Sequence, residues 1–321
     1  MKAVVCTTYG PPEVLQLKEV DKPTPGDGEV LVKIHAASVN AYDWHLLTAD
    51  IFLVRLMGGG LRRPKHAIPG ADIAGSVEAV GREVMRFRSG DEVFGDIAAG
   101  GFAEYASVPE KLLELKPTTL SFEEAAAVPM AAVTALQGLR DQGHIRPGQA
   151  VLIQGASGGV GTFAVQIAKS FGAEVTAVCS TRNVDQAHAL GADHVIDYTK
   201  EDFTKSGRRY DLILAANGYH PLAAYKRALT PRGTYVMAGG TQAQIFHAML
   251  LGSWMSEHGG KKMGGVSARR SQVDLAFLKG LLEAGTVVPV IERRFPLSAT
   301  AEALRYLGDG HAKGKIVITV A

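Results

Sequence analysis

At 321 residues, 46% hydrophobic and 21% charged, the chain has an ordinary globular composition and is long enough for about two domains with separate cores. A formal charge of +2 gives no basic surface for nucleic acid or an anionic membrane, and two cysteines, Cys6 and Cys179, exclude a disulfide scaffold or a four-cysteine zinc lobe. Both cysteines stand in apolar, strand-like runs and are expected to be buried and reduced. No signal-like apolar core precedes Gly10-Pro11-Pro12, and no apolar run reaches the length of a membrane span, so the expectation is a cytoplasmic protein with no integral membrane segment.

From Met1 to about Pro117 short strands alternate with glycine and proline punctuation. Strands are expected at Ala3–Thr8, Leu15–Glu19, Val30–Ser38, Ser76–Val80, Asp91–Asp96 and Ala103–Val108, a rhythm that predicts an antiparallel barrel or sandwich. One segment departs from it. Ile51-Phe52-Leu53-Val54-Arg55-Leu56-Met57 is followed by Gly58-Gly59-Gly60 and by Arg62, Arg63, Pro64 and Lys65. This is either a hinged apolar lid over a substrate or a helix capping the sheet with solvated charges behind it.

At Ser121-Phe122-Glu123-Glu124, a capping-box pattern, the grammar changes. A helix is expected over Ala125–Leu139, interrupted by Pro129. Strands then alternate with helices: Val151–Gln154, Glu174–Cys179, His194–Asp197, Asp211–Ala215, Thr234–Ala238 and Lys262–Val266, against helices Val160–Phe171, Val184–Leu190, Leu222–Leu229, Gln242–Leu251 and Gln272–Glu283. Such alternation predicts a parallel sheet with helices on both faces and ligands beyond the strand C-termini. A strand over Pro289–Phe295, a helix over Leu297–Leu307 and a strand over Lys315–Val320 close the chain and are expected to rejoin the first domain.

Between the first of these parallel strands and its helix lies Gly155-Ala156-Ser157-Gly158-Gly159-Val160-Gly161. A turn this dense in glycine puts backbone N–H groups and a helix N-terminus at one point, where a pyrophosphate docks. The same residues spell G-x-S-x-G, the elbow of an α/β-hydrolase with Ser157 as nucleophile, for which Asp211 and His247 are available partners. The second strand ends Cys179-Ser180-Thr181-Arg182, without the acid that accepts both ribose hydroxyls of NAD. Two hydroxyls and a guanidinium suit the 2′-phosphate of NADPH, with Tyr198 placed to pack on adenine or reach the same phosphate. The plain alternative is a helix cap beside a surface arginine.

The blocks Ser38-Val39-Asn40-x-x-Asp43, Pro69-Gly70-Ala71-Asp72-x-Ala74-Gly75, Gly90-Asp91-Glu92-Val93-Phe94-Gly95, Gly101-Phe102-Ala103-Glu104-Tyr105, Gly155 to Gly161 and Gly310-His311-Ala312-x-Gly314-Lys315 run through essentially the whole chain. Together they resemble the medium-chain dehydrogenase/reductase superfamily. Within it, they resemble the zinc-free quinone oxidoreductase-like branch, near the group of the mitochondrial reticulon-interacting reductase and the chloroplast-envelope quinone reductase homologue. The resemblance implies an α/β protein made of a doubly wound parallel-sheet Rossmann domain (123–291) and a GroES-like β-barrel domain (1–122 and 292–321). Zinc-dependent relatives carry Cys at the place of Asn40 and Gly-His-Glu at Gly70-Ala71-Asp72, so a zinc site is not expected here.

What remains is NADPH-dependent hydride delivery to a small apolar quinone or enone, whose conjugation spreads the incoming charge onto oxygen. By the same resemblance Asn40 is the expected donor to that oxygen. His45, at the place of a tyrosine in many quinone reductases, and Tyr42 are further candidates. The expected nucleotide set is Thr134, Ala156, Ser157, Gly158, Gly159, Val160, Gly161, Ser180, Thr181, Arg182, Tyr198, Asn217, Gly239, Gly240, Gly265, Val266 and Lys315. Relatives commonly form homodimers. A non-catalytic NADPH-binding sensor is the alternative that the residues leave open.

Overall fold

The computed structural model describes residues 1–50, 60–240, 260–310 and 312–320. The apolar block Ile51–Met57 with Gly58 and Gly59, the helix expected at Gln242–Leu251, His247 and His311 lie outside these residues. The chain forms two compact units: Met1–Met130 with Arg270–Gly285 and Pro289–Ala321, and Ala131–Arg269 with Thr286–Val288.

In the first unit, strands β3 (Glu29–Val39), β4 (Asp72–Val80), β5 (Glu92–Asp96), β6 (Tyr105–Pro109), β7 (Leu113–Leu115), β14 (Ile291–Pro296) and β15 (Lys315–Thr319) build a seven-stranded sheet in the order β14-β15-β3-β4-β5-β7, with β6 also paired to β3. A separate antiparallel pair joins β1 (Lys2–Val5) to β2 (Gln16–Glu19). β3 is the pivot, because it pairs with β15, β4 and β6. Its near-continuous apolar run Val30, Leu31, Val32 and Ile34 is buried, and Val30, Val32 and Ile34 pack with Ile73, Val93, Phe102, Ile316 and Ile318 in one core.

Three helices matter for the site. α1 (Ala41–Thr48), which no sequence pattern marked, starts directly where β3 ends. The helix expected over Ala125–Leu139 with an interruption at Pro129 is divided there into α2 (Phe122–Ala126) and α3 (Pro129–Gln137), followed by a π-helical turn at Gly138–Gln142. Pro129 has no N–H to continue a ladder but suits the first position of a new helix, so it restarts the helix rather than kinking it. α7 (Gln272–Glu283), read above with the parallel sheet, groups with the first unit. Gln272 Nε2 donates to the carbonyls of Glu110 (3.3 Å) and Leu113, and Glu283 accepts from Thr118 N at 3.4 Å. α2 likewise packs there, its Phe122 ring stacked on His35 with centroids 4.3 Å apart.

The second unit is a six-stranded parallel sheet in the order β10-β9-β8-β11-β12-β13. The strands are β8 (Ala150–Gln154), β9 (Glu174–Cys179), β10 (His194–Asp197), β11 (Tyr210–Ala215), β12 (Leu229–Met237) and β13 (Lys262–Gly265). β8 is central: the chain leaves it to one side for β9 and β10, then crosses back to β11. This reversal opens a crevice at the C-terminal ends of β8 and β11, the place where doubly wound sheets bind ligands. Connecting helices α4 (Gly159–Ser170), α5 (Val184–Ala189) and α6 (Leu222–Ala228) follow β8, β9 and β11. Cys6 and Cys179 are both buried thiols.

Candidate functional site

In the second unit the expected nucleotide residues line up along one edge of the sheet. Gly155 to Gly161 follow β8, Ser180 to Arg182 follow β9, Tyr198 follows β10, Asn217 follows β11, Gly239 and Gly240 follow β12, and Gly265 and Val266 end β13. The turn after β8 is held by two N–H groups, of Gly155 and Ala156, which both donate to Val178 O at 3.1 Å. Gly155 sits at φ +76, where a side chain would be strained and a Cβ would meet Asn217 Cβ at 2.9 Å. A Cβ on Gly161 would lie 2.0 Å from Gly155 O, so glycine there lets the helix approach the strand. Gly158 is different: its Cβ would meet nothing nearer than Gly155 O at 3.6 Å. The protein's own packing does not require glycine at 158. The bare residue leaves the start of α4 open, and no side chain of the described residues caps that helix. An open N-terminus with its first N–H groups uncapped suits a pyrophosphate.

Beside this turn lies a cavity of about 360 Å³ lined by Gln154, Gly155, Val178, Tyr198, Asn217 and Tyr219. Tyr198 and Tyr219 are half exposed and meet edge to face with centroids 6.2 Å apart. Two flat apolar rings with an amide beneath them make a surface for a heterocycle. Gln154 accepts from the buried Tyr225 hydroxyl, while its own Nε2 has no hydrogen-bond partner among the described residues. Gln154 and Tyr219 were not anticipated from sequence. The signal for Gln154 was a polar residue closing an otherwise apolar buried strand.

The tip of β9 is less open than its sequence implies. Thr181 Oγ1 donates to Asp197 Oδ2 at the end of β10, and Asp197 also accepts from the Thr199 hydroxyl at 2.7 Å. These hydroxyl donors hold the Asp197 carboxyl well below the usual range. Thr181 is therefore spent on an internal anion. Ser180 Oγ accepts from Asn183 Nδ2 at 3.1 Å, which leaves its own proton to donate, and Arg182 is exposed. Thr134 is buried on α3, and Val266 is tied by its N–H to Met237 O at 2.8 Å.

Ser157 stands in this same turn, and among the described residues the acid of the hydrolase reading is not beside it. Asp211, its expected acidic partner, is at the N-terminal end of β11. There its carboxylate accepts from Ala150 N at 3.0 Å and the Thr230 hydroxyl at 3.0 Å, at the opposite end of the sheet from the turn.

The first unit carries a second, chemically contrasting cluster, and sheet register assembles it. Ser38 on β3 faces Asp72 on β4, Asp72 faces Asp96 on β5, and Ile316 on β15 faces Val39. One end of the sheet thus gathers Asp96, Asp72, Ser38, Asn40 and Lys315. Asp72 is fully buried. It accepts from Ser38 Oγ at 3.0 Å, Asn40 Nδ2 at 3.0 Å and, at the first turn of α3, Met130 N at 3.1 Å, with Lys315 Nζ 3.7 Å away. Lys315 Nζ donates to Asn40 Oδ1, which fixes the amide's orientation because its NH₂ cannot face an ammonium. Asn40 Nδ2 donates also to Ser38 O at 3.4 Å, and Asn40 N to Asp43 Oδ2 at 2.9 Å at the start of α1. Both amide hydrogens of Asn40 are thus committed inside the unit. Its expected role as donor to a substrate oxygen meets an amide that already has partners.

Two carboxylates share one ammonium in this dry cluster. Burial pushes the Asp43 carboxyl up to about 7, and burial likewise raises Asp72 and lowers Lys315, each against the pull of its partner. Lys315, expected at the nucleotide, is only 3% exposed and bonded to Asn40. His45 lies further along α1, its Nδ1 2.9 Å from Asp50 Oδ1, with about a third of its side chain exposed. At the positions where zinc-dependent relatives carry ligands, an amide and a carboxylate stand bound to each other. Among the described residues no group of three or more His, Cys, Asp or Glu is arranged to hold a metal ion. Arg62, Arg63 and Lys65 are exposed.

Residues 26–118 match the alcohol dehydrogenase GroES-like domain family, and residues 190–318 the family described as zinc-binding dehydrogenase. A chloroplastic quinone oxidoreductase of Triphysaria versicolor is 35% identical over 332 residues, covering 99% of this chain and 98% of its own. A chloroplastic NADPH-dependent alkenal/one oxidoreductase of Arabidopsis thaliana is 32% identical, covering 99% of this chain and 79% of its own. The solved quinone oxidoreductase of Coxiella burnetii superposes with a TM-score of 0.87 at 29% identity, covering 100% of this chain and 99% of its own.

Proposed function

Because the chain belongs to the quinone oxidoreductase-like family of medium-chain dehydrogenases and reductases, we propose that it reduces a small apolar quinone or an α,β-unsaturated carbonyl with NADPH and without a catalytic metal. The observation that carries the proposal is the uncapped start of α4 behind Gly158, where the fold leaves room that its own packing does not use. When bound, the reduced nicotinamide supplies a hydride to the acceptor.

The residues that would hold the dinucleotide follow from their places along the sheet edge. Ala156, Ser157, Gly159, Val160 and Gly161 offer backbone N–H groups and a hydroxyl to the pyrophosphate. Tyr198, Tyr219 and Asn217 bound the cavity proposed for the adenine. Gly239, Gly240, Gly265, Val266 and Thr134 are the proposed neighbours of the nicotinamide ribose and carboxamide. Preference for NADPH over NADH is assigned to Arg182 and Ser180, with Asp197, at the end of the neighbouring strand, occupied by Thr181 and Thr199. In the first unit Asn40 serves by fixing the start of α1. A homodimer and a cytoplasmic location belong to the same proposal. Among the described residues no helix is long and apolar enough to cross a membrane.

The test is loss of NADPH absorbance with a panel of quinones and enones, run beside NADH. Turnover of at least one class with NADPH preferred is the expected result. Tight NADPH binding with no turnover of any acceptor favours the sensor reading.

A further inference from the structure

At the same end of the first unit one hydroxyl lies outside the Asn40 hydrogen-bond network. Tyr42, half-buried in the first turn of α1, lies against Arg270, whose guanidinium carbon is 6.0 Å from the ring centroid. Arg270 does not reach Tyr42 loosely. Its Nε donates to Asp96 Oδ1 at 2.8 Å, and the same oxygen accepts from Ala98 N at 3.0 Å. Ala98 is one of three non-glycine residues at positive φ among those described, at +71, so the loop after β5 is bent sharply around that carboxylate. Asp96 is in turn placed by its register opposite Asp72. β5 therefore fixes the guanidinium, α1 fixes the phenol, and the two meet beside Asn40.

We propose that Tyr42 is the acid that protonates the oxyanion of the reduced acceptor, with Arg270, anchored by Asp96, as the positioning residue that stabilises the phenolate left behind. This rests on the reductase reading above. For an enone, the hydride adds to the β-carbon and the C=C electron pair shifts onto the carbonyl oxygen. The Tyr42 O–H bond then breaks and its proton passes to that oxygen. The enol relaxes to the saturated ketone, the phenolate pair rests against Arg270, and water reprotonates the half-exposed phenol. NADPH loses two electrons and a hydride's proton, and the acceptor gains them.

The charges facing Tyr42 act in opposite directions. Burial raises the phenol's pKa most and Arg270 pulls it down, while Asp43 and Asp96 push it up. Tyr42 therefore stays protonated at neutral pH, as an acid must, and Arg270 limits how weak an acid it becomes.

Two readouts test this, one of them independent of turnover. In cofactor-free protein labelled with [¹³Cζ]tyrosine, the Tyr42 resonance, identified among nine tyrosines by its loss in Tyr42→Phe, is titrated with pH. Its midpoint is expected to rise in Arg270→Gln and to return toward the wild-type value in Arg270→Lys. In steady-state kinetics, Tyr42→Phe is expected to lower kcat by about a hundredfold or more and to abolish the alkaline fall in rate, with NADPH affinity unchanged. Arg270→Gln should move that alkaline fall to higher pH. An active wild type whose Tyr42→Phe variant keeps both kcat and the alkaline fall, or a Tyr42 midpoint that ignores Arg270→Gln, overturns this assignment alone. A wild type that oxidises NADPH with neither acceptor class overturns the reductase reading and this assignment together.

Discussion

In the second unit the candidate site is made largely of backbone. Glycine at 155 and 161 permits the turn and the close helix approach, strand ends supply short polar residues, and the start of α4 has no side-chain cap. In the first unit the corresponding region is made of side chains, and of charged ones: Asp72, Asp43 and Lys315 are each at most 3% exposed. The first kind of site has little titratable chemistry of its own. The second holds protons and charge whose balance depends on every member being present. Under the proposed function, binding falls mainly to backbone and proton chemistry to side chains, and substitutions should separate them.

The largest effect is expected at Lys315. Lys315→Met leaves Asp72 buried without its cation and should cost about 3–5 kcal/mol of stability, the usual penalty for breaking a buried pair, read by chemical denaturation. Its pH dependence carries a sign. Asp43 in the folded state sits at about 7, above its ordinary 3.8, so folding favours the protonated form. That contribution is present in full below about pH 4 and is lost as pH rises toward 7. Asp43→Asn should flatten this slope, and Lys315→Met should steepen it by forcing Asp72 to hold a proton too. A slope that rises with pH over this range would break the picture of a proton-holding cluster.

Next in size is a pair of glycine substitutions in the turn after β8. Gly161→Ala drives a Cβ into the backbone of Gly155 and should cost about 1–3 kcal/mol. Gly158→Ala has room within the protein, at φ −81, and should leave the melting temperature in place while weakening nucleotide affinity about tenfold, or roughly 1.4 kcal/mol. Equal loss of stability at both positions would mean that Gly158 serves packing rather than a ligand.

Arg182→Ala should lower the NADPH-over-NADH preference by about tenfold or more, since a charge-assisted hydrogen bond is worth about 1.5–3 kcal/mol. The ratio of kcat/KM with the two nucleotides measures it. The smallest effect is expected at His45. Its pairing with Asp50 is a partly exposed one, worth under about 1 kcal/mol, and His45→Gln should leave both kcat and stability nearly unchanged. A large loss of kcat there would move the proton chemistry away from Tyr42.

These two materials differ in how far the sequence discloses them. The parallel sheet was legible, because buried strands such as Val151–Gln154 and Glu174–Cys179 are short apolar runs closed by glycine or polar residues. Gly155, Gly158 and Gly161 announced the turn for the same reason. At Thr181 the sequence shows a hydroxyl able to donate to a phosphate, but not that Asp197, sixteen residues on, accepts from it. The Asn40 cluster was mostly hidden. Asn40 and Asp72 stood in recognisable blocks, but their contact depends on β3–β4 register, and Lys315 comes from 275 residues away. Arg270 carried no local signal at all, since a surface arginine and one locked between Asp96 and Tyr42 look alike in a one-dimensional string.

The placement of β15 has a consequence for how the protein is made. During synthesis the second unit has all six strands of its sheet once residue 265 has emerged, and it can fold as a chain still being extended. The first unit cannot. Its pivot strand β3, though among the first segments to appear, has β4 and β6 to pair with early, but its Ala36–Val39 end waits for Lys315–Thr319 to lie against it. Through that interval Asp72 and Asn40 have no ammonium, so the half most dependent on balanced charge is the last to be completed and the one most exposed to premature strand pairing with other chains.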